Sequence, residues 1–570
     1  MRLILLFLLL TNIGYAETYF VNVADSIGLG GRLNVRGIAV FDANNDGWDD
    51  LFLACNSPRN YLFINQGGEY FIDQTTEYGV YSTELKSSTV SVADLNNDDF
   101  LDLLVVQNDG DTIPMLYMNQ NGEFFNDIAE EAGLIFEFGG CAGNFISNRG
   151  KSVIDIWASS SYFAHNGDIT FIEITERVGL GGQSDLLAAD FVDIDNDMDM
   201  DLLLSYRHNQ YGNFFRYEDS FYVNINENNN LGYIPSSYGS SFGDYDNDGD
   251  PDLYILNGLG ENTLFENDGS GYLIDRTEES GTGAREYCRN ANWGDIDNDG
   301  DLDLIVGVNE ERRPFVYTYE GSHVFLDRSH QFGIVDITEG WGAALGDYDN
   351  DGDLDIFMPG LDEFANIVYR NETNNNDYIK FKVVGPTVNR AAIGAKVFLY
   401  ECGHLYDPEY LLGSRYVQSL TGPQSMSSQI VHFGVPGEGP FDALALFING
   451  DPAVISGAHK TNSYDLVSGE VTSINDGFDD LIPIENDIAV RCYPVPTNSM
   501  LNLEISLSNI DDIDVVIFDL SGRKVKSIPI GIIDRHLIRT IDVSKLPSGI
   551  YFAAACGSNN KAVTKLVILK

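Results

Sequence analysis

The chain has 570 residues, too many for one ordinary core, so two to four domains are expected. Its 33 Lys and Arg stand against 87 Asp and Glu, a net charge of −54, which excludes nucleic-acid binding because phosphate contacts need clustered cations. The 30 Tyr and 33 Phe exclude a disordered polyanion and point to folded β-structure, whose acid is solvated or neutralised by cations.

The chain opens on an export signature. Arg2 precedes the apolar run Leu3 to Leu10, and Gly14 and Ala16 supply small residues for cleavage, so residues 1–16 read as a signal peptide and the mature chain as starting at Glu17. The apolar run is too short for a bilayer, which needs about 20 such residues, and no later segment is a transmembrane candidate. Six Cys are spaced widely with no CxxC pair, so no metal or redox motif is signalled; Cys492 and Cys556 are the best candidates for a disulfide.

From residue 42 onward a segment of the form D-x-[DN]-x-D-x-x-x-D recurs, with starts at 42, 94, 193, 244, 295 and 347. The double-length gap holds a lapsed copy, from Ser147 to Asp155 and Trp157, which keeps only the last Asp and the apolar residues after it. The seven starts are then 52, 53, 46, 51, 51 and 52 residues apart. A second element, as in Phe71-Ile-Asp73-Gln-Thr75 and Phe325-Leu-Asp327-Arg-Ser329, precedes most loops, and a third, as in Tyr61-Leu-Phe-Ile-Asn65, follows several. Each unit thus holds about four short strands, and seven such units predict a seven-bladed β-propeller. A first copy of the second element, Phe20-Val-Asn22-Val-Ala24, precedes any loop and is expected to complete the last blade and close the ring.

Calcium takes six to eight hard oxygen ligands. Loop positions 1, 3, 5 and 9 supply side chains, and position 7 a backbone carbonyl. The expected sets are Asp42, Asn44, Asp46, Trp48 and Asp50; Asp94, Asn96, Asp98, Phe100 and Asp102; and Asp193, Asp195, Asp197, Asp199 and Asp201. The remaining three are Asp244, Asp246, Asp248, Asp250 and Asp252; Asp295, Asp297, Asp299, Asp301 and Asp303; and Asp347, Asp349, Asp351, Asp353 and Asp355. Up to six Ca²⁺ follow, and carboxylates this close need a cation in the folded state. An EF-hand would carry a bidentate Glu at position 12, where this chain has Leu53, Val105, Leu204, Ile255, Val306 and Met358. Gly at position 6 is replaced by Asp99 and Met198 in the loops at 94 and 193, which are expected to be the poorer sites.

Six residues before each loop stand Arg36, Ser88, Cys141, Leu187, Tyr238, Arg289 and Trp341, each followed by Gly37, Thr89, Ala142, Ala188, Gly239, Asn290 or Gly342. Small residues suit an innermost strand crowded near the axis. The varied residues before them would ring one mouth of the channel, and Arg36, Tyr238, Arg289 and Trp341 are the candidate ligand-binding residues there.

On the loop motif, residues 17–375 resemble the FG-GAP/VCBS repeat family, whose calcium loops also occur in integrin α-subunit propellers. Residues 376–467 resemble the ASPIC/UnbV domain found in cartilage acidic protein. The carrying residues are Asn389-Arg390, Gly394-Ala-Lys-Val397, Gln418-Ser-Leu-Thr-Gly422, Ser427-Ser-Gln429 and His432-Phe-Gly434; the usual Arg after the Gln is missing. Residues 468–488 read as an acidic linker. Residues 489–570 resemble the sorting tail of type IX secretion in Bacteroidetes-type bacteria, on Tyr493-Pro-Val-Pro-Thr-Asn498, Val516 to Val525, Leu546-Pro-Ser-Gly-Ile-Tyr-Phe552 and the terminal Lys565 to Lys570. Its strand-like runs suggest a small, immunoglobulin-like β-sandwich. The resemblance implies export through the outer membrane by the type IX machinery, to the cell surface or medium.

No HExxH or paired zinc spacing occurs. Gly150-Lys151-Ser152 lacks the earlier Gly of a phosphate loop, and Gly239-Ser-Ser241-Phe-Gly243 runs into a calcium loop where a nucleophile elbow needs a helix. The expected function is therefore a secreted or surface calcium-binding protein that binds an extracellular protein or a glycan, or mediates adhesion, without catalysis. The alternatives are a calcium-dependent polysaccharide lyase or hydrolase, and a purely structural surface component.

Overall fold

The structure of the chain is a computed structural model. It covers residues 20–473 and 488–568, without 58, 82–85, 108–112, 135–141, 149–152, 184–185, 207–211, 232–236, 259, 310–311, 337–340, 363, 374–376, 494–499, 508–510, 520–522, 534–535, 544, 547–548 and 557–560. The signal-peptide segment, Cys141, most of the 468–488 stretch and Gly150-Lys151-Ser152 lie outside the described residues.

Residues 20–371 form seven four-stranded antiparallel sheets. Blade I runs from axis to rim as Val35–Phe41, Asp50–Cys55, Tyr61–Asn65 and Phe71–Asp73. Blades II to VI repeat this order from the innermost strands Ser87–Ala93, Ala142–Ile146, Leu186–Val192, Ser237–Gly243 and Cys288–Gly294. Blade VII takes Ala344–Gly346, Asp355–Met358 and Ile367–Asn371 from its own repeat. Its rim strand is Phe20–Asn22, which pairs with Asn371, Arg370 and Tyr369 and so ties the start of the ring to its end. Innermost strands of successive blades touch all round the axis, including those of blades VII and I. The lapsed repeat is therefore a full blade, the third, and the chain is a seven-bladed propeller as expected.

The second strand of each blade is buried at every described residue, because it lies between two neighbouring blades. In blades I, II and IV to VII it starts on the ninth loop residue, so the loop and the most buried strand are one continuous device.

Residues 378–473 form a second domain of two sheets around one core that includes Ile379, Phe381, Val397, Leu399, Ala443, Ile455 and Leu466. Its opposite face shares a core with blades III and IV: Phe398, Tyr400, Leu444 and Ile448 pack with Trp157, Met200, Leu202 and Tyr222. Its last strand, Val471–Ser473, runs parallel to Ala453–Ala458. This strand falls inside the stretch read from sequence as linker, so the domain extends further than expected; the acidic composition there hid a short edge strand.

The segment 418–430 leaves this domain between the strands Leu411–Tyr416 and Val431–Gly434 and fills the propeller channel. Val92 N–H donates to Ser419 O at 3.3 Å, Ser241 Oγ to Thr421 O at 3.0 Å and Asn290 Nδ2 to Pro423 O at 2.9 Å. Met426, fully buried, donates its N–H to Ile38 O at 2.8 Å and accepts from Val40 N at 3.0 Å, extending blade I inward as a strand would. Ser428 N–H reaches Leu345 O at 2.8 Å in blade VII, and Ser419 Oγ bonds Asn144 in blade III.

This plug corrects the expected reason for the small residues near the axis. A Cβ on Gly239 would lie 2.1 Å from Pro423 Cγ, one on Gly342 2.6 Å from Ser425 Oγ, and one on Gly37 2.5 Å from Gln424 O. The glycines are small because a loop of another domain passes through the ring, not only because blades converge.

The tail, Ile488–Ile568, has seven strands in two sheets that enclose a core of Leu503, Ile505, Val515, Ile517, Ile541, Ala553 and Ala555. Cys492 and Cys556 lie on strands of different sheets, and their side chains are outside the described set. Cys55, Cys288 and Cys402 are free thiols.

Candidate metal centres and the opposite mouth of the propeller

Each loop follows the C-terminal end of an innermost strand, so all six face one side of the ring. In blades IV to VII one carboxylate oxygen each from positions 1, 3 and 5 lies within 4.8 Å of the others: Asp193/Asp195/Asp197, Asp244/Asp246/Asp248, Asp295/Asp297/Asp299 and Asp347/Asp349/Asp351. The curl is built by backbone donors. In blade V, Asp248 N–H and Gly249 N–H donate to Asp244 at 3.0 and 3.1 Å, and Asp250 N–H donates to Asp248 at 3.0 Å. The same bonds recur in blade I, from Asp46 and Gly47 N–H to Asp42 and from Trp48 N–H to Asp46, and in blade II, on Asp94 and Asp98, where the last donor is Phe100 N–H. In blades I and II the third residue is an amide, and Asn44 and Asn96 donate to Asp46 and Asp98 at 3.0 and 2.8 Å.

The ninth residue does more than the sequence reading gave it. Asp252 accepts the Tyr245 N–H at 3.0 Å and the Asn267 N–H at 2.9 Å, locking the loop to the third strand. Asp50, Asp102, Asp303 and Asp355 repeat the pair of bonds, and Asp201 does so through Ile194 and Tyr217. In the lapsed blade III, Asp155 keeps its strand contact, with His165 N–H at 2.9 Å. The Tyr162 hydroxyl, also at 2.9 Å, stands where the loop amide would be.

These carboxyls are unfavourably placed as bare anions. Burial first, then the charges of neighbouring loop carboxylates, raises Asp195 to about 6, and Asp246 and Asp297 to about 7. Asp351 is raised to about 7 and Asp349 to about 6 for the same reasons. Asp201, Asp252, Asp303 and Asp355, buried completely, are driven well above the carboxylate range. Third-position residues Asp195, Asp246 and Asp349 each bury Oδ1 with no hydrogen-bond donor among the described residues. Buried, clustered, donor-poor carboxylate oxygens at this spacing fit a hard divalent cation.

A further loop position also recurs. The fourth residue is Asn in all six: Asn45, Asn97, Asn196, Asn247, Asn298 and Asn350, each at a left-handed φ between 56° and 60°. Its amide reaches the next blade's loop. Asn247 donates to Asp301 at 2.7 Å, Asn298 to Asp353 at 2.8 Å, Asn196 to Asp250, Asn45 to Asp99 O at 2.7 Å and Asn350 to Gly47 O at 3.1 Å. The belt breaks at the lapsed blade, where Asn97 Oδ1 instead accepts the Arg390 N–H at 2.9 Å. The side chains of Asp250, Asp301 and Asp353 are thus inter-blade acceptors, a role separate from the seventh-position carbonyl expected from sequence.

The second domain sits on the loops. Ser414 Oγ donates to Asp244 at 2.5 Å, and Gly434 N–H to Asp295 at 2.8 Å. Lys380 and Lys396 contact Asp347 and Asp193 at 2.6 and 3.0 Å. Arg415, buried between the loops of blades V and VI, donates to Ser414 O and Gly300 O.

At the other end of the innermost strands the structure gathers the four candidate ligand-binding residues. The Arg36 guanidinium lies 4.1 Å from the Trp341 ring centre, and that of Arg289 lies 4.3 Å from Trp341, 4.0 Å from Tyr238 and 4.5 Å from Tyr287. Tyr287, not foreseen, hydrogen-bonds Tyr238 and accepts from Arg289 Nη2 at 3.2 Å. Arg36, Ser88, Leu187, Tyr238 and Arg289 are each the extra residue of a β-bulge at the start of the innermost strand. A bulge re-aims its side chain, which explains why this position varies while its neighbours are small.

A sequence profile for FG-GAP-like repeats matches residues 26–105 and 244–306, and one for a secretion-system C-terminal sorting domain matches residues 491–569. The chain carries FG-GAP-like repeats and a type IX sorting tail. The tail marks it for export through the outer membrane, to the cell surface or the medium, and implies engagement by the secretion machinery. Among the described residues no helix is long and apolar enough to cross a membrane. The chain is similar to cartilage acidic protein 1 of Xenopus tropicalis, 34% identical over 111 residues, which are 19% of this chain and 17% of that protein. The match thus spans about a sixth of that relative's length, and it agrees with the ASPIC/UnbV resemblance. Among solved structures, BBS1N in complex with ARL6DN is 8% identical over 62% of this chain and 97% of that one, with a TM-score of 0.40. The rhamnogalacturonan lyase YesW is 13% identical over 59% of this chain and 62% of that one, with a TM-score of 0.33.

Proposed function

We propose that this FG-GAP propeller is a calcium-loaded, non-catalytic binding protein of the cell surface, which recognises an extracellular protein or glycan at the mouth opposite its calcium loops. In this reading up to six Ca²⁺ ions hold the loop face, through the side chains at positions 1, 3, 5 and 9 and the seventh-position carbonyls. The ions join the blades to the second domain and leave recognition to the other face. The observation that carries the reading is the gathering of Arg36, Tyr238, Arg289 and Trp341 into one stacked group at that mouth. Supporting it, the second domain sits on the loops of blades IV to VII and residues 418–430 fill the channel, so neither offers a free binding surface. Arg and aromatic side chains held rigid by stacking are the residues that dominate binding energy at interfaces.

The test is a glycan array and a surface pull-down with the calcium-loaded chain and with Arg289→Ala and Trp341→Ala. The reading expects each substitution to weaken a captured ligand by about ten-fold or more with little change in melting temperature. Undiminished capture would place recognition elsewhere. Unsaturated products from an acidic polysaccharide would favour a lyase.

A further inference from the structure

Two lysines of the second domain enter the calcium loops in the same way, from different strands. Lys396 Nζ lies 3.0 Å from Asp193 Oδ2 and 3.3 Å from Asp193 O, and donates to Asn196 Oδ1; the side chains of Lys396 and Asp193 are 1% and 2% exposed. Lys380 Nζ lies 2.6 Å from Asp347 Oδ2 and 3.1 Å from Asn350 Oδ1, with Lys380 and Asp347 side chains 8% and 6% exposed. Each ammonium thus takes the first and fourth residues of its loop, in blades IV and VII. In blades V and VI the first-position carboxylate receives a neutral donor instead, Ser414 Oγ or Gly434 N–H, and the Arg415 guanidinium sits between the two loops with its N–H groups on backbone carbonyls. Asp347 shows how the site divides: Oδ2 takes Lys380 and the Gly352 N–H at 2.9 Å, while Oδ1 is buried with no donor among the described residues and stays open to an ion.

A buried ammonium on a carboxylate has two opposite effects. Without calcium it relieves the repulsion among the loop's acids. With calcium it places a positive charge beside a divalent cation in a low-dielectric site, and like charges at that range repel strongly. We propose that Lys380 and Lys396 are built-in substitute cations: they hold the loops of blades VII and IV together when calcium is scarce, and they make those two loops weaker calcium sites than the loops of blades V and VI. The proposal rests on the calcium reading above. It divides six loops of one motif into electrostatic classes set by another domain, and it keeps the second domain seated on the propeller in the calcium-free chain.

The test is calorimetric Ca²⁺ titration of the calcium-stripped full chain, together with melting in excess chelator. Wild type is expected to show at least two affinity classes. Lys396→Met and Lys380→Met are each expected to move one site from the weak class to the tight one, by about ten-fold or more, while lowering the melting temperature in chelator. Lys396→Gln keeps a donor on Asp193 without the charge and is expected to raise affinity with a smaller loss of stability, so a poorly folded Met variant does not end the test. Lysine variants whose calcium affinity is unchanged or lower, in a wild-type chain that does bind calcium, would overturn the proposal alone. A wild-type chain that takes up no calcium would overturn the calcium reading as well.

Discussion

Asn298 Nδ2 of blade VI donates to Asp353 Oδ1 of blade VII at 2.8 Å, with 2% of Asn298 and 1% of Asp353 exposed. A buried carboxylate that loses a donor is less well solvated, and the conformation at φ 58° disfavours a side chain such as Ala. Asn298→Ala is expected to cost about 2–3 kcal/mol in denaturant unfolding of the calcium-loaded chain. Asn298→Gly tolerates the φ and should lose only the hydrogen-bond part. Equal losses for the two would show that the bond, not the backbone, carries the whole effect.

The plug makes a steric prediction. Gly239→Ala would force its Cβ to within 2.1 Å of Pro423 Cγ. Overpacking of this kind costs about 1–3 kcal/mol. Limited proteolysis should then cut within 418–430 well before the blades, whereas wild type should resist there. Gly182→Ala, an exposed site at φ 81° with nothing within 4 Å, controls for the strain of replacing a positive-φ glycine without the clash.

Asp190 gives a pH dependence away from the loops. It is 7% exposed, accepts from Ser240 Oγ at 2.5 Å, and burial raises it from 3.8 to about 7. The folded state therefore holds a proton that the unfolded chain has lost. Its contribution is complete below about pH 4 and disappears as pH rises through about 7. In excess calcium, Asp190→Asn, neutral throughout, is expected to gain melting temperature relative to wild type as pH rises from about 5 to about 8. An unchanged pH profile in the variant would remove Asp190 from the account.

The repeat, the seven blades, the lapsed third copy and the ring closure by Phe20–Asn22 were legible because each is a local pattern copied several times along the chain. The fourth-position Asn was equally legible, since it is invariant among six copies, but its function lies in the next blade's loop and no single copy reveals a partner. The plug was not legible at all: Gln418 to Ile430 carries no strand pattern, and the glycines that receive it look the same as glycines at a crowded axis. Lys380 and Lys396 sit in strands of another domain, Lys396 203 residues from Asp193 and Lys380 33 from Asp347, so only folding brings the charges together. The short strand Val471–Ser473 was hidden by acidic surroundings that read as linker.

The central claim, that the acidic loops are calcium sites on which the folded propeller depends, is tested most directly by thermal unfolding of the full chain in excess chelator and in millimolar calcium. A ligand that binds only the folded state must raise its melting temperature. The account predicts a large rise on adding calcium, reversed by chelator and reduced by Asp246→Asn or Asp297→Asn. A melting temperature that is the same in calcium and in chelator would contradict it.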